Sequence, residues 1–420
     1  VSETNQDAKR RKTVARHGIL SSPSVGGQIA RFVAVALAVV LVSGLGVVGY
    51  TTYTAVADFS SSAVDLEGQE SVPPDIGEIE GGVNLFVAGT DACEPEYAGY
   101  FGDRCTGADA GGELNDVNML VHISDAPRRV TVISFPRDLM LPIPECTNTE
   151  TGRTTSAMTK QPLNSTFSYG GLACAVKTIS ELSGQNIPFA AAVTWGGVIE
   201  ITNAIGGVEV CIANGIKDYH TGLDLPEGNV TLAGLEALQF LRTRHGVGNG
   251  GDLGRISNQQ QYMSKLARKL VSEQVLSNPA TLFGLATTAL SNITPSQTLS
   301  NPLTLTQIAL AVKNVPFDEI VFIQYPVNGD PADPNKVVPN YPAADALWAA
   351  LETNRPLQLT GKASQGDGVI VETPPPADPA TPTDAATSGA PVAPAEEAVA
   401  LPPAITGSTA AQDTCSNGNG

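Results

Sequence analysis

A few polar side chains sit in spacings that suit phosphate chemistry. Arg137 and Asp138 follow the β-branched run RVTVISFP, and Arg242 and Arg244 follow the apolar run LAGLEALQFL. Asp252, Arg255 and Gln259 come next; Arg255 and Gln259 stand at i, i+4 and share one helix face, with Asp252 near the helix start. Asp91 ends one apolar run, and Asp116 precedes another. In extended chain Arg242 and Arg244 point to one side. A guanidinium grips phosphate oxygens through a planar fork. Carboxylates beside such arginines suggest a divalent cation that bridges to the phosphates. Mg²⁺, with Mn²⁺ as a substitute, fits best because it takes oxygen ligands and keeps waters. One Arg–Asp pair alone is ordinarily structural, since ion-pair networks also gather charge. Four arginines and several carboxylates converging on element ends, in a chain of 24 basic and 42 acidic residues, point to an anion site.

The elements that must hold these groups alternate. Strands are expected at 83–91, 117–124, 129–136, 208–212 and 319–327. Asp125-Ala126-Pro127 turns the second into the third. Helical periodicity covers 172–184, closed by Gly184, then 196–207, 232–241, 256–276 and 303–315. Strands alternating with helices imply an α/β domain over 82–361, whose strand ends are the usual place for a ligand.

The flanks differ from this domain. Lys9, Arg10, Arg11, Lys12, Arg16 and Arg31 precede an uncharged run, FVAVALAVVLVSGLGVVGY. Its length matches about 30 Å of bilayer hydrocarbon. The next base is Arg104, so a basic cytoplasmic tail (1–31), a transmembrane helix (32–53) and an acidic external spacer (54–81) are expected. The rival is a cleaved signal peptide, with Ala55-Val56-Ala57 as its site, but the apolar run is too long for one. From 362 onward the sequence is rich in Pro and Ala and has no base after Lys362; it reads as a disordered extracellular tail. The net charge of -18 argues against a nucleic-acid partner. The chain has six cysteines, and an external location permits disulfides. Cys93–Cys105 and Cys146–Cys174 are the expected bridges, and Cys211 and Cys415 remain, with the connectivity open.

The ordered segments NLFVAGTD, NDVNMLVHISDAPRRVTVISFPRDL, KQPLNSTFSYGG, NAIGGVEVCI, LAGLEALQFLRTRH and GDLGRISNQQQYM resemble the LytR–CpsA–Psr family of cell-envelope phosphotransferases over about 82 to 330. The resemblance implies a three-layer α/β/α fold with a mixed central sheet and a greasy groove for a polyprenyl chain. It implies transfer of a glycopolymer from a polyprenyl-pyrophosphate carrier onto peptidoglycan, at the outer face of a membrane. It assigns Arg137, Arg242, Arg244, Arg255 and Gln259 to the pyrophosphate, and Asp91 and Asp116 to the metal. Asp116, Arg137, Asp138 and Asp252 form its catalytic set. The family often carries Arg two residues before the second Asp and Thr after it; here Leu114 and Val117 stand there, so one phosphate ligand is missing.

Such a reaction needs charge stabilisation and in-line placement more than covalent chemistry. Asp116 or Asp138 would take the acceptor's hydroxyl proton. Ser134 has no adjacent His to activate it, and His122 and His245 read as structural. Two rivals use the same groove: a pyrophosphatase, in which water replaces the sugar hydroxyl, and a non-catalytic adaptor that binds envelope lipid or glycan.

Overall fold

A computed structural model describes residues 24–69, 82–107, 112–149, 151–271, 279–372 and 397–419. The first element, α1 (Val25–Ser62), starts at Ser24, whose hydroxyl accepts the Gly27 N–H. Its stretch Val25–Gly44 has a mean hydropathy of 2.1; among the described residues this is the one helix long and apolar enough to cross a membrane. The helix exceeds the expected 32–53 at both ends, because no proline interrupts it. The basic residues of 1–23 and the acids of 70–81 lie outside the described residues.

The domain is built on a seven-stranded sheet. Its strands are β1 (Val83–Thr90), β2 (Asn115–Ile123), β3 (Val130–Phe135), β4 (Phe189–Val193), β7 (Ile293–Pro295), β8 (Ile320–Gln324) and β10 (Gly407–Thr409), in the order β7-β4-β1-β2-β3-β8-β10. A second sheet of four strands, order β6-β5-β11-β9, uses β5 (Val208–Asn214), β6 (Gly228–Leu232), β9 (Val369–Val371) and β11 (Thr414–Asn417). In the large sheet β4 runs parallel to β1 and β8 to β3, whereas β2 is antiparallel to both neighbours. This is the mixed sheet expected.

Alternation along the strands loads both faces, since successive side chains point to opposite sides. Phe86, Ala88, Leu120, Ile133 and Ile323 bury against α2 (Thr166–Ser183) and α8 (Tyr341–Glu352). On the other face, Val83, Met119, Val132 and Phe322 meet α7 (Pro302–Val312) and Met263 of α5 (Asp252–Val271). Gly184, with φ +69, closes α2 in the left-handed conformation expected of it. The remaining helices are α3 (Trp195–Ala204), α4 (Gly234–Arg242) and α6 (Pro279–Ser291). The second sheet rests on its own core of Val210, Ile212, Phe240 and Tyr262.

Two boundaries are corrected. Within the expected spacer, Val64 pairs with Ser296 and Gln69 Oε1 accepts the Ile187 N–H, so 63–69 belongs to the domain. The expected disordered tail from 362 is also wrong for its described parts. Residues 362–372 and 397–419 supply β9, β10 and β11, and bury Leu401, Ile405 and Cys415. Ile405 packs into the main core, which offsets the ordering entropy that the Pro-rich average had suggested was too large. Residues 373–396 lie outside the described ones. Both expected disulfides are present, and a third, Cys211–Cys415, joins positions 204 apart in sequence.

Candidate active site

Register brings the first residues together. Thr90 pairs with Asn115, and Asn118 pairs with Phe135. The ends of β1 and β3 and the start of β2 therefore lie at one end of the sheet, which places Asp91, Asp116, Arg137 and Asp138 there. Two helix ends complete the ring: Arg242 is the last residue of α4, and Asp252 opens α5.

Arg137 is the hub. Its Nη1 donates to both Asp116 oxygens at 2.9 Å, and its Nε lies 3.4 Å from Asp252 and 3.5 Å from Asp138. Burial alone would lower the Arg137 guanidinium, but Asp116, Asp252 and Asp138 outweigh it and hold it above its ordinary value. Arg255 Nη2 pairs with Asp252 at 2.8 Å and also donates to the Asp116 carbonyl at 2.8 Å. Gln259 donates to the Leu241 carbonyl at 2.8 Å, which ties α5 to the end of α4.

Arg242 and Arg244 differ from the hub. Among the described residues, neither has a carboxylate within ion-pair distance. Arg242 instead lies 3.8 Å over the Trp195 ring and 5.5 Å from Phe101. Burial pushes its guanidinium down to about 10. Arg244 is lowered too, by burial first and then by Arg137. Between them Thr243 is extended and fully buried, and its hydroxyl donates to Asp218 Oδ2 at 2.7 Å. The same oxygen accepts the Arg244 and His245 N–H groups. This anchor turns both arginines into one cavity, as their two-residue spacing predicts.

The cavity holds about 430 Å³. One part is apolar, with Met119, Val198, Leu238, Met263 and Leu266 in its wall. The polar part carries Asp116, Arg137, Arg242, Arg244, Arg255 and Gln259. Asp91, Asp138 and Asp252 do not line it among the described residues; they stand behind the arginines. Asp138 is paired with Lys336 as well as Arg137. Asp91 has both oxygens engaged: Oδ2 lies 2.8 Å from Arg104 Nη2, and Oδ1 accepts the Leu114 N–H at 2.7 Å.

The donors present are hard oxygens, the kind Mg²⁺ takes. Asp252 Oδ1 is ion-paired to Arg255 and Arg137, yet neither of its buried oxygens accepts a well-aligned hydrogen bond. Asp116 faces the cavity with Arg137 as its ion-pair partner, so it suits a cation shared with ligand phosphates. Asp91 suits that role only when Arg104 yields an oxygen.

Sequence reasoning missed Arg104, Lys336, Asp218 and Trp195. Arg104 did leave a signal, as the one base between Arg31 and Arg128 and the neighbour of Cys105. The others reach the site from segments distant in sequence and left none.

The model of the LytR_cpsA_psr family matches residues 49–353. The cell wall biosynthesis protein LcpA of Corynebacterium glutamicum is 26% identical over 311 residues, which cover 70% of this chain and 58% of that protein. A polyisoprenyl-teichoic acid–peptidoglycan teichoic acid transferase, TagU of Enterococcus faecalis, is 26% identical over 164 residues, covering 39% of this chain and 50% of that one. The chain thus spans less than two thirds of the length of these curated relatives. The crystal structure of B. subtilis TagV shares the fold, with a TM-score of 0.50 and 18% identity over 66% of this chain and 97% of that one.

Proposed function

The chain belongs to the LytR_cpsA_psr family, and from that premise we propose that it moves a glycopolymer from a polyprenyl-pyrophosphate carrier onto peptidoglycan, leaving a phosphodiester. One observation carries the reading: a cavity with an apolar wall whose polar part holds two half-buried arginines, Arg242 and Arg244, without carboxylate partners among the described residues. A ligand that satisfies both parts has an anionic head and a long apolar chain. The name of the TagU relative describes such a substrate and acceptor.

In this reading Arg242 and Arg244 neutralise the pyrophosphate, and Arg137 and Arg255 add donors beside them. Their fixed placement favours the charge of the transition state without reorganisation. Asp116 is the better base for the acceptor hydroxyl. It lines the cavity and has one arginine partner, whereas Asp138 is shared between Lys336 and Arg137 and stands away from the cavity. Asp91 and Asp116 would hold Mg²⁺, which supplies further neutralisation of phosphate charge. Helix α1 is the anchor, with the basic residues before it on the cytoplasmic side and the domain outside.

The test is product analysis. Purified full-length protein is given a polyprenyl-pyrophosphate glycan, Mg²⁺ and peptidoglycan. Transfer gives polyprenyl phosphate and an acceptor-linked phosphodiester in equal amounts. Release of the glycan phosphate that is indifferent to acceptor would instead identify a pyrophosphatase, and binding without turnover an adaptor.

A further inference from the structure

The loop between α4 and α5 starts at Arg244 and ends at Asp252, so it fixes the spacing of two site residues. It contains Gly246, Gly248, Gly250 and Gly251, a composition that holds no geometry by itself. Its order comes from elsewhere.

The end of the chain grips one side of the loop. Val247 bridges to Gly418, Gly248 N–H donates to the Asn417 carbonyl at 2.9 Å, and Asn419 N–H donates to the Gly246 carbonyl at 3.1 Å. The Asn419 side chain also donates to the His245 carbonyl at 2.6 Å. The turn before β9 grips the other side, where Asn249 N–H donates to the Gly366 carbonyl at 3.0 Å. Gly248 has φ +51, and a β-carbon there would collide with that carbonyl. The gripping segment is itself tied down. Cys415 is bonded to Cys211 of β5, and Ser416 Oγ donates to Asn258 and Gln261 of α5, the helix that carries Asp252, Arg255 and Gln259. The gripping residues, Gly366 and 415–419, lie beyond residue 353, where the family match ends.

We infer that residues 414–419 are a positioning element for the anion site. They act on Arg244 and Asp252 through the 244–251 loop, and Cys211–Cys415 is the staple that holds them in place. Asn419 and Gly248 are the positioning residues that transmit the effect. The inference rests on the reading of the site as one for a pyrophosphate.

The experiment uses the full chain in detergent and three variants: Cys211→Ser/Cys415→Ser, Gly248→Ala and the mild Asn419→Ala. Amide hydrogen exchange of 244–251 is read first. It should speed up by about tenfold or more in the cysteine variant while β1 and β3 keep their protection. Calorimetry with geranylgeranyl pyrophosphate is read second. Affinity should fall about tenfold in Gly248→Ala and about threefold in Asn419→Ala, and adding Arg244→Ala to Gly248→Ala should cost less than about twofold more, because both act on one interaction. Unchanged exchange in the loop, or full additivity with Arg244→Ala, overturns the inference. A wild-type chain that binds no prenyl pyrophosphate overturns the reading of the site, and the exchange result then decides the positioning claim alone.

Discussion

Arg104 Nη2 stands 2.8 Å from Asp91 Oδ2, and its Nε donates to the same oxygen at 3.1 Å. The pair links two parts of the sequence that were read separately. Arg104 precedes Cys105, whose bridge to Cys93 closes a loop that also carries Phe101. Phe101 packs against Trp195 at a tilt of 56°, with ring centroids 4.3 Å apart, and Trp195 supports Arg242. One disulfide loop therefore braces Asp91 and Arg242 together. Arg104→Ala should lower kcat/KM about tenfold, because the loop that supports Arg242 through Phe101 and Trp195 loses its tie to Asp91. Arg104→Lys should recover only part, for want of the fork. Steady-state kinetics on both variants is the check; an Arg104→Ala enzyme with wild-type kcat/KM refutes the brace.

Arg242 is charged, half-buried and, among the described residues, without a carboxylate partner, an arrangement that burdens the fold. Lowering its pKa to about 10 corresponds to a destabilisation on the order of 1–3 kcal/mol at neutral pH. Arg242→Met should therefore keep or raise the melting temperature while turnover falls about a hundredfold or more. Arg137→Ala should behave in the opposite way for stability, because it leaves Asp116, Asp138 and Asp252 facing one another. Thermal melts paired with turnover distinguish the two. A melting temperature that drops in step with activity for Arg242→Met contradicts the anion-site assignment.

The proton acceptor is separable by isosteric change. Asp116→Asn should reduce kcat at least about a hundredfold, whereas Asp138→Asn should leave more than about a tenth of it. The pH profile of kcat for each variant is the measurement, and equal losses would sink the preference for Asp116.

His122 sits in β2, buried, with Nδ1 2.9 Å from Asn84 Oδ1. Burial lowers its pKa to about 4. Between that value and the ordinary 6.5 the unfolded chain binds a proton that the folded chain does not, so stability falls as pH drops through this window. The loss approaches about 3 kcal/mol at the acid end. His122→Gln should flatten the denaturant midpoint across that window; an unchanged slope would show that other groups set it.

Much of this was legible because it is local. The apolar run at 83–91 and the β-branched run at 129–136 announced strands, and Gly184 announced a helix end. Arg242 and Arg244 were found by spacing. What failed was long-range. Cys211 and Cys415 share no local motif, and β11 is a short strand that makes sense only between β5 and β9. Leu401 and Ile405 were diluted by the prolines before them, so an average over the segment hid a docked end. Lys336 reaches Asp138 from a hairpin whose two strands, Val327–Asp330 and Asp333–Pro339, carry no site-like pattern.

The most direct test of the account follows the phosphate itself. Full-length protein, reconstituted in lipid with a ³²P-labelled polyprenyl-pyrophosphate glycan, Mg²⁺ and peptidoglycan, is assayed beside an Arg242→Ala/Arg244→Ala variant that melts like the wild type. The account predicts that the distal phosphorus moves into the peptidoglycan fraction with the glycan, only when acceptor is present, and that the variant loses this transfer. Label that stays with the lipid or leaves as soluble glycan phosphate, or a variant that transfers at the wild-type rate, would contradict it.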